Sequence, residues 1–147
     1  MTTTTFSAPL SSSLPRAGRY LATGARFALG FVFFAAGLAV LLNVAPPPDT
    51  PLPAAAEAFG TALHGTGYML PLIKVTEVLA GALLLANCFV PLALVILAPV
   101  VLNIVAFHVF LTPGDVAMPI VLLVLELYLA WAYRSAYASL FVRRHTL

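Results

Sequence analysis

Charge is scarce in this chain. Only 8% of its 147 residues are Asp, Glu, Lys or Arg, against 62% hydrophobic. A soluble domain carries roughly 25% charged residues, so a water-facing surface cannot be assembled from this composition. The expected solvent for most of the chain is lipid, and a mean hydropathy of +1.04 agrees. At this length a single domain is expected.

Cysteine is scarcer still. Cys88 is alone, which excludes an intramolecular disulfide and a Cys-x-x-Cys redox pair. With three scattered histidines, His64, His108 and His145, no metal site is expected. Basic residues form no stripe. Arg16, Arg19, Arg134, Arg143 and Arg144 flank hydrophobic stretches and Arg26 opens one, a distribution that speaks for membrane orientation and against nucleic-acid binding. No Ser–His–acid set and no phosphate-cradling glycine loop is visible, so an autonomous enzyme is not expected.

What is present is a series of long apolar runs. Four spans are predicted, at about 25–43, 68–88, 91–111 and 116–135, because crossing a ~30 Å hydrocarbon core takes about 20 residues of helix. Prolines at 46–48 end the first. Residues 54–64 suit a short interfacial helix followed by a hinge at Gly65–Gly67. Pro99 is expected to kink the third span, and Thr112–Asp115 reads as a turn. Residues 1–22 read as a disordered Ser/Thr/Pro-rich tail, 23–141 as the membrane domain and 142–147 as a short basic tail. Arg16 and Arg19 imitate a signal peptide, but the apolar stretch that follows is too long for one. Short loops force antiparallel neighbours, giving an all-α, transmembrane four-helix bundle running up-down-up-down.

The chain resembles the DoxX family in RFALGFVFFAAGL (26–38), TGYMLPLIKVTEVLAGALLLAN (66–87), FVPLALVILAPVVLNIVAFHVFL (89–111) and LELYLAWAYRSAY (125–137). The resemblance implies a small four-helix membrane protein. Related proteins are membrane subunits linked to quinone-coupled sulfur oxidation, or partners of redox enzymes in oxidative-stress defence. Four spans in 147 residues leave little protein for an aqueous catalytic domain, so the expectation is a non-catalytic subunit or anchor in the bacterial inner membrane, with a redox-enzyme partner or a second copy of itself and with quinone admitted as cofactor. Cys88 sets this chain apart from relatives that handle thiols themselves.

Charged side chains inside the runs carry the chemistry. Lys74, Glu77 and Glu126 each cost about 2.5–3.5 kcal/mol at mid-membrane, so they are expected to face the bundle interior and find partners. Counting at about 1.5 Å per residue puts Glu77, Asn103 and Glu126 at one depth, with Lys74 a turn away and His108 nearer the outer end. Two readings stay open: a structural Lys74–Glu77 pair at i, i+3, or a ligand or proton site built from Lys74, Glu77, Asn103 and Glu126. The second reading makes the chain a small transporter or proton-conducting module. His108 points away from Asn103 on a helical wheel and is assigned to packing or an interface hydrogen bond, and with Arg26 it is an accessory candidate for the site. Arg26, Gly30 and Gly37 share one face, and with Gly81 the glycines are expected at helix contacts. Pro119, Glu126 and Tyr133 form another stripe, while Trp131, Tyr133 and Tyr137 suit an interfacial aromatic belt.

Both terminal tails carry arginines, whereas Asp49, Glu57 and Asp115 occupy the other two loops without Lys or Arg. The positive-inside bias therefore puts both termini in the cytoplasm. Topology reporters fused after residue 50 and at the C-terminus should report opposite sides of the membrane; the same side for both overturns this orientation.

Overall fold

The computed structural model describes residues 16–46 and 51–141, and the described residues are helical with no strand. The helices are α1 (Arg16–Leu41), α2 (Ala54–Gly65), α3 (Met69–Leu85), α4 (Val90–Leu111) and α5 (Ala117–Ala132), followed by a 3₁₀ segment, Arg134–Phe141. α1 starts nine residues ahead of the predicted span, so residues 16–22 of the expected tail are helix. Nothing between Arg16 and Leu41 breaks a helix more strongly than glycine does. The rest of the expected tail, 1–15, and the basic residues 142–147 lie outside the described residues.

α1 and α4 are long and apolar enough to cross a membrane; α2 and α3, bent by 91° at their junction, add a third span if counted as one. α5, at 16 residues, extends about 24 Å and is shorter than a full hydrocarbon core. Expected and observed limits agree within a few residues for α3, α4 and α5. α4 runs through Pro99 as a single helix.

Asparagine ends two of the helices. Asn43 and Asn87 both hold left-handed backbone, with φ of 55° and 56°. After α1, Asn43 N–H donates to Val40 O at 3.1 Å and Val44 N–H to Ala39 O at 2.9 Å. After α3, Asn87 N–H donates to Leu84 O at 3.2 Å and Cys88 N–H to Leu83 O at 3.0 Å. Both pairs are Schellman closures, which satisfy last-turn carbonyls that no further turn of helix reaches. The left-handed residue turns the chain back sharply, so α3 and α4 follow one another closely.

Packing runs α1 on α3, α3 on α4, α4 on α5 and α5 back on α1, with α2 lying on α3 and α4. α1 against α3 is the most extensive contact. It is antiparallel: Gly30 sits by Gly81, Leu84 and Leu85, and Gly37 by Lys74, Glu77 and Val78. A Cβ at Gly81 would come within 2.6 Å of Phe34 N, and one at Gly37 within 2.9 Å of Val78 Cγ2. The three glycines let two backbones touch, which replaces side-chain interdigitation with main-chain van der Waals contact.

Polarity is inverted relative to a soluble bundle. Arg26, Glu77 and Glu126 are buried, while Phe31, Leu72, Leu79, Leu102, Phe110, Val124 and Leu127 are exposed. Such an apolar exterior suits lipid and not water.

Gly81→Ala is expected to lower the thermal stability of the detergent-solubilised protein by about 1–3 kcal/mol, the usual penalty of overpacking. Gly60→Ala is the control, since no neighbour lies within 4 Å of its Cβ position, and it should leave stability unchanged or slightly raised.

Candidate functional site

A cavity of about 370 Å³ opens between α2, α3 and α4. Its walls are mainly apolar, with Leu63, Leu70, Ile73, Val100, Ile104 and Phe107, and four polar side chains converge on it: Lys74, Glu77, Asn103 and His108. The 91° bend at the α2–α3 junction folds α2 over the mouth. Gly67 makes that bend with φ of 74°, left-handed backbone that a side chain would strain. Phe59 of α2 lies against Phe107 of α4, ring centroids 5.6 Å apart, and fastens the cover.

Lys74 Nζ donates to both carboxylate oxygens of Glu77 at 2.9 Å. The pair is asymmetric: the Lys74 side chain keeps 21% of its surface and Glu77 only 3%. Glu77 is wedged into the α1–α3 seam, its Cβ 3.3 Å from where a Cβ on Gly37 would stand. Lys74 also lines a smaller cavity of about 230 Å³ beside the end of α1 and the α2–α3 junction. His108 Nδ1 donates to Ile104 O at 2.8 Å. A carbonyl can only accept, so Nδ1 carries a proton. The Phe107 ring meets the imidazole edge-on at 5.3 Å. The helical wheel separated His108 from Asn103, yet both line the same cavity, because the cavity wraps around α4 from α3 to α2.

Glu126 is not among the lining residues. The expected single polar level therefore resolves into two places. Tyr128, two residues beyond Glu126, donates from its hydroxyl to Gly18 O at 3.2 Å, whereas Glu77 packs at Gly37. Those two α1 positions are separated by roughly 28 Å of helix. Equal depth was inferred by counting from the span ends, and that count takes no account of where helix contacts actually set each chain.

Around the other end, Arg26 was the least expected participant. It stands ten residues inside α1, 5% exposed, and not at a span opening. Its guanidinium donates to Leu84 O and, at 3.4 Å, to Leu85 O, and lies 4.6 Å from the Phe27 ring. A cation on the last carbonyls of α3 is favoured by the helix dipole as well as by hydrogen bonding. The signal available in the sequence was helix-compatible residues from Arg16 onward, which carry Arg26 away from the terminus.

Of the aromatic belt, Trp131 is exposed and lies 4.7 Å under the Arg134 guanidinium. Tyr133 is buried, 2% exposed, which places it with Pro119 and Glu126 on the inward stripe and not at an interface. Tyr137 donates to Pro91 O at 3.2 Å and ties the 3₁₀ segment to α4. Burial, with nearby Glu126 and Tyr133 adding to it, pushes the Tyr137 phenol above its ordinary value.

No group of three His, Cys, Asp or Glu side chains converges among the described residues. Comparison with known proteins gives no matching family model, no matching curated protein and no matching solved structure.

Arg26→Leu should lower stability by about 1.5–3 kcal/mol, the range for hydrogen bonds made by a charged group. Arg26→Lys should fall between, keeping the charge but losing the planar fork. Thermal unfolding in detergent checks both; equal stability of Arg26→Leu and the parent chain refutes the capping role.

Proposed function

We propose that the chain is an integral membrane protein of DoxX type, a four-helix bundle in which α1, α3, α4 and α5 run up-down-up-down across a bacterial inner membrane with cytoplasmic termini. We further propose that it acts as a non-catalytic membrane subunit or anchor for a redox partner and holds a bilayer-soluble quinone in the cavity under α2. The inverted polarity and the membrane-length helices support the first part. The resemblance in residues 26–137 supports the redox association.

The observation that carries the ligand reading is the cavity itself. Its volume of about 370 Å³ falls in the roughly 300–1,000 Å³ range of small-molecule sites. Its lining has the division such sites need, an apolar wall for a ring and tail and a few polar groups to fix orientation. Lys74 offers donors, and Asn103 offers both a donor and an acceptor. A quinone carbonyl accepts hydrogen bonds, and Lys74 is the one cation on the wall. The competing reading, conduction through a joint Lys74–Glu77–Asn103–Glu126 cluster, is disfavoured by the separation of Glu126 from the other three.

The test is calorimetric titration of a short-tailed ubiquinone analogue into the full chain in lipid nanodiscs. Saturable binding is expected. Lys74→Met should weaken it about tenfold or more, the loss of one hydrogen bond from a charged donor, and Glu126→Gln should leave it unchanged. Absence of saturable binding, or identical binding by Lys74→Met, rules the quinone site out.

A further inference from the structure

Glu126 is used by nothing described so far. It lies on the buried stripe of α5, 5% exposed, and its Oε1 is fully enclosed with no hydrogen-bond partner. The other two buried charges are provided for. Glu77 has Lys74, and Arg26 has the carbonyls of Leu84 and Leu85. Because Arg26 is committed to the end of α3, it does not serve as counter-ion for the carboxyl. α5 packs on α1 and α4. From α1 the buried charged group is Arg26, and Arg16, Arg19 and Tyr20 are exposed. α4 carries no titratable side chain but His108, which lines the cavity at the opposite end. From α5 itself come Tyr128 and Tyr133, and from the 3₁₀ segment Tyr137 and the exposed Arg134. Of these groups the Tyr137 phenol stands near Glu126 and is itself bonded to Pro91 O.

We propose that Glu126 is an exchangeable proton-binding site at the α5 C-terminal end of the bundle, covered by Tyr137. A carboxylate held out of water without a donor or a cation is the costly form, and taking up a proton removes the charge. The step is a plain acid–base exchange: the carboxyl O–H bond breaks, the proton passes to water, and the carboxylate remains until a proton returns. Tyr137 sets the access. Its hydroxyl holds the 3₁₀ segment against α4, so loosening that segment widens the access of water to the carboxyl. The site stands apart from the cavity under α2, and it survives or fails independently of ligand binding there.

Infrared spectroscopy of the full chain in lipid nanodiscs tests it. At neutral pH a carbonyl-stretch band of a protonated carboxylic acid is expected, present in Glu77→Gln, lost in Glu126→Gln, and shifted after transfer to deuterated water. Tyr137→Phe should speed that shift about 2- to 10-fold, since one hydrogen bond of ordinary strength is removed from the cover. No band at neutral pH, a band that survives Glu126→Gln, or a band that never responds to deuterated water overturns the proposal. Should Glu126→Gln fail to fold, carbon-13 labelling of glutamate in the parent chain decides. One of its three glutamates, Glu57, Glu77 and Glu126, must remain protonated at neutral pH, and titration of all three in the ordinary carboxylate range overturns it.

Discussion

The contact on which the rest of the molecule depends is the backbone-to-backbone seam between α1 and α3. Two helices whose exteriors face lipid gain little from the hydrophobic effect on meeting each other, because lipid tails are as apolar as leucine. What remains is close van der Waals contact and a few well-placed polar bonds. Gly30, Gly37 and Gly81 supply the first, because each presents no Cβ of its own at a point where the facing helix stands too close to admit one. Arg26 supplies the second by reaching across to Leu84 and Leu85. The two devices depend on each other. Unless the backbones touched, a guanidinium on α1 could not reach the main chain of α3, and without that bond the register of the two helices would rest on glycine alone.

The seam also determines where the cavity is. α3 is drawn to α1 by its glycine face, and Lys74 emerges beside Glu77 into the space left toward α4. A side chain of ordinary size at Gly37 or Gly81 would push α3 outward and alter that space. α2 then completes the enclosure from above, and it does so with modest packing of its own: only Ala56 is buried in it. Its position is fixed by its junction with α3 and by the Phe59–Phe107 contact. Of the elements around the cavity, α2 is the one with fewest buried apolar groups. It is therefore the part expected to move most readily when a ligand enters.

How much of this was legible in the sequence follows from what periodicity and composition can see. The helices, their loops, and the inward stripes Arg26–Gly30–Gly37 and Pro119–Glu126–Tyr133 are all local patterns, and each is buried on the side that its spacing indicates. The helix-contact glycines were readable for the same reason. Three things were not. α1 starts earlier than the apolar run indicates, because Arg16 and Arg19 read as flanking charges, and Arg26 is thereby an interior residue and not an edge one. Equal depth for Glu77 and Glu126 assumed that helices begin flush with one another, which only tertiary contacts can decide. The meeting of His108 with Asn103 needed α2, a helix lying across two others, and no wheel drawn for α4 alone contains it. The endings at Asn43 and Asn87 lay in between. Asparagine after an apolar run is a helix-stop signal, but the left-handed turn it makes became visible only in the hydrogen bonds.

Three buried charges in one small bundle are answered in three ways, and the difference separates structure from chemistry. An isolated charge at mid-membrane costs about 2.5–3.5 kcal/mol on insertion scales, so each needs an answer if the fold is to stand. Arg26 receives the main-chain carbonyls of Leu84 and Leu85 at the end of α3, and both sides gain; nothing about it asks for a role beyond architecture. Glu77 receives Lys74, yet a buried pair is poor evidence for stability, since apolar residues of the same shape often hold a fold equally well. The pair is better explained by where it stands, on the wall of a cavity, than by what it contributes to folding. Glu126 receives no donor at all for Oε1. A leucine there would suit the surrounding Leu122 and Leu129 at no electrostatic penalty. An acid in that position is therefore accounted for by the proton it can carry, and not by the helices it joins.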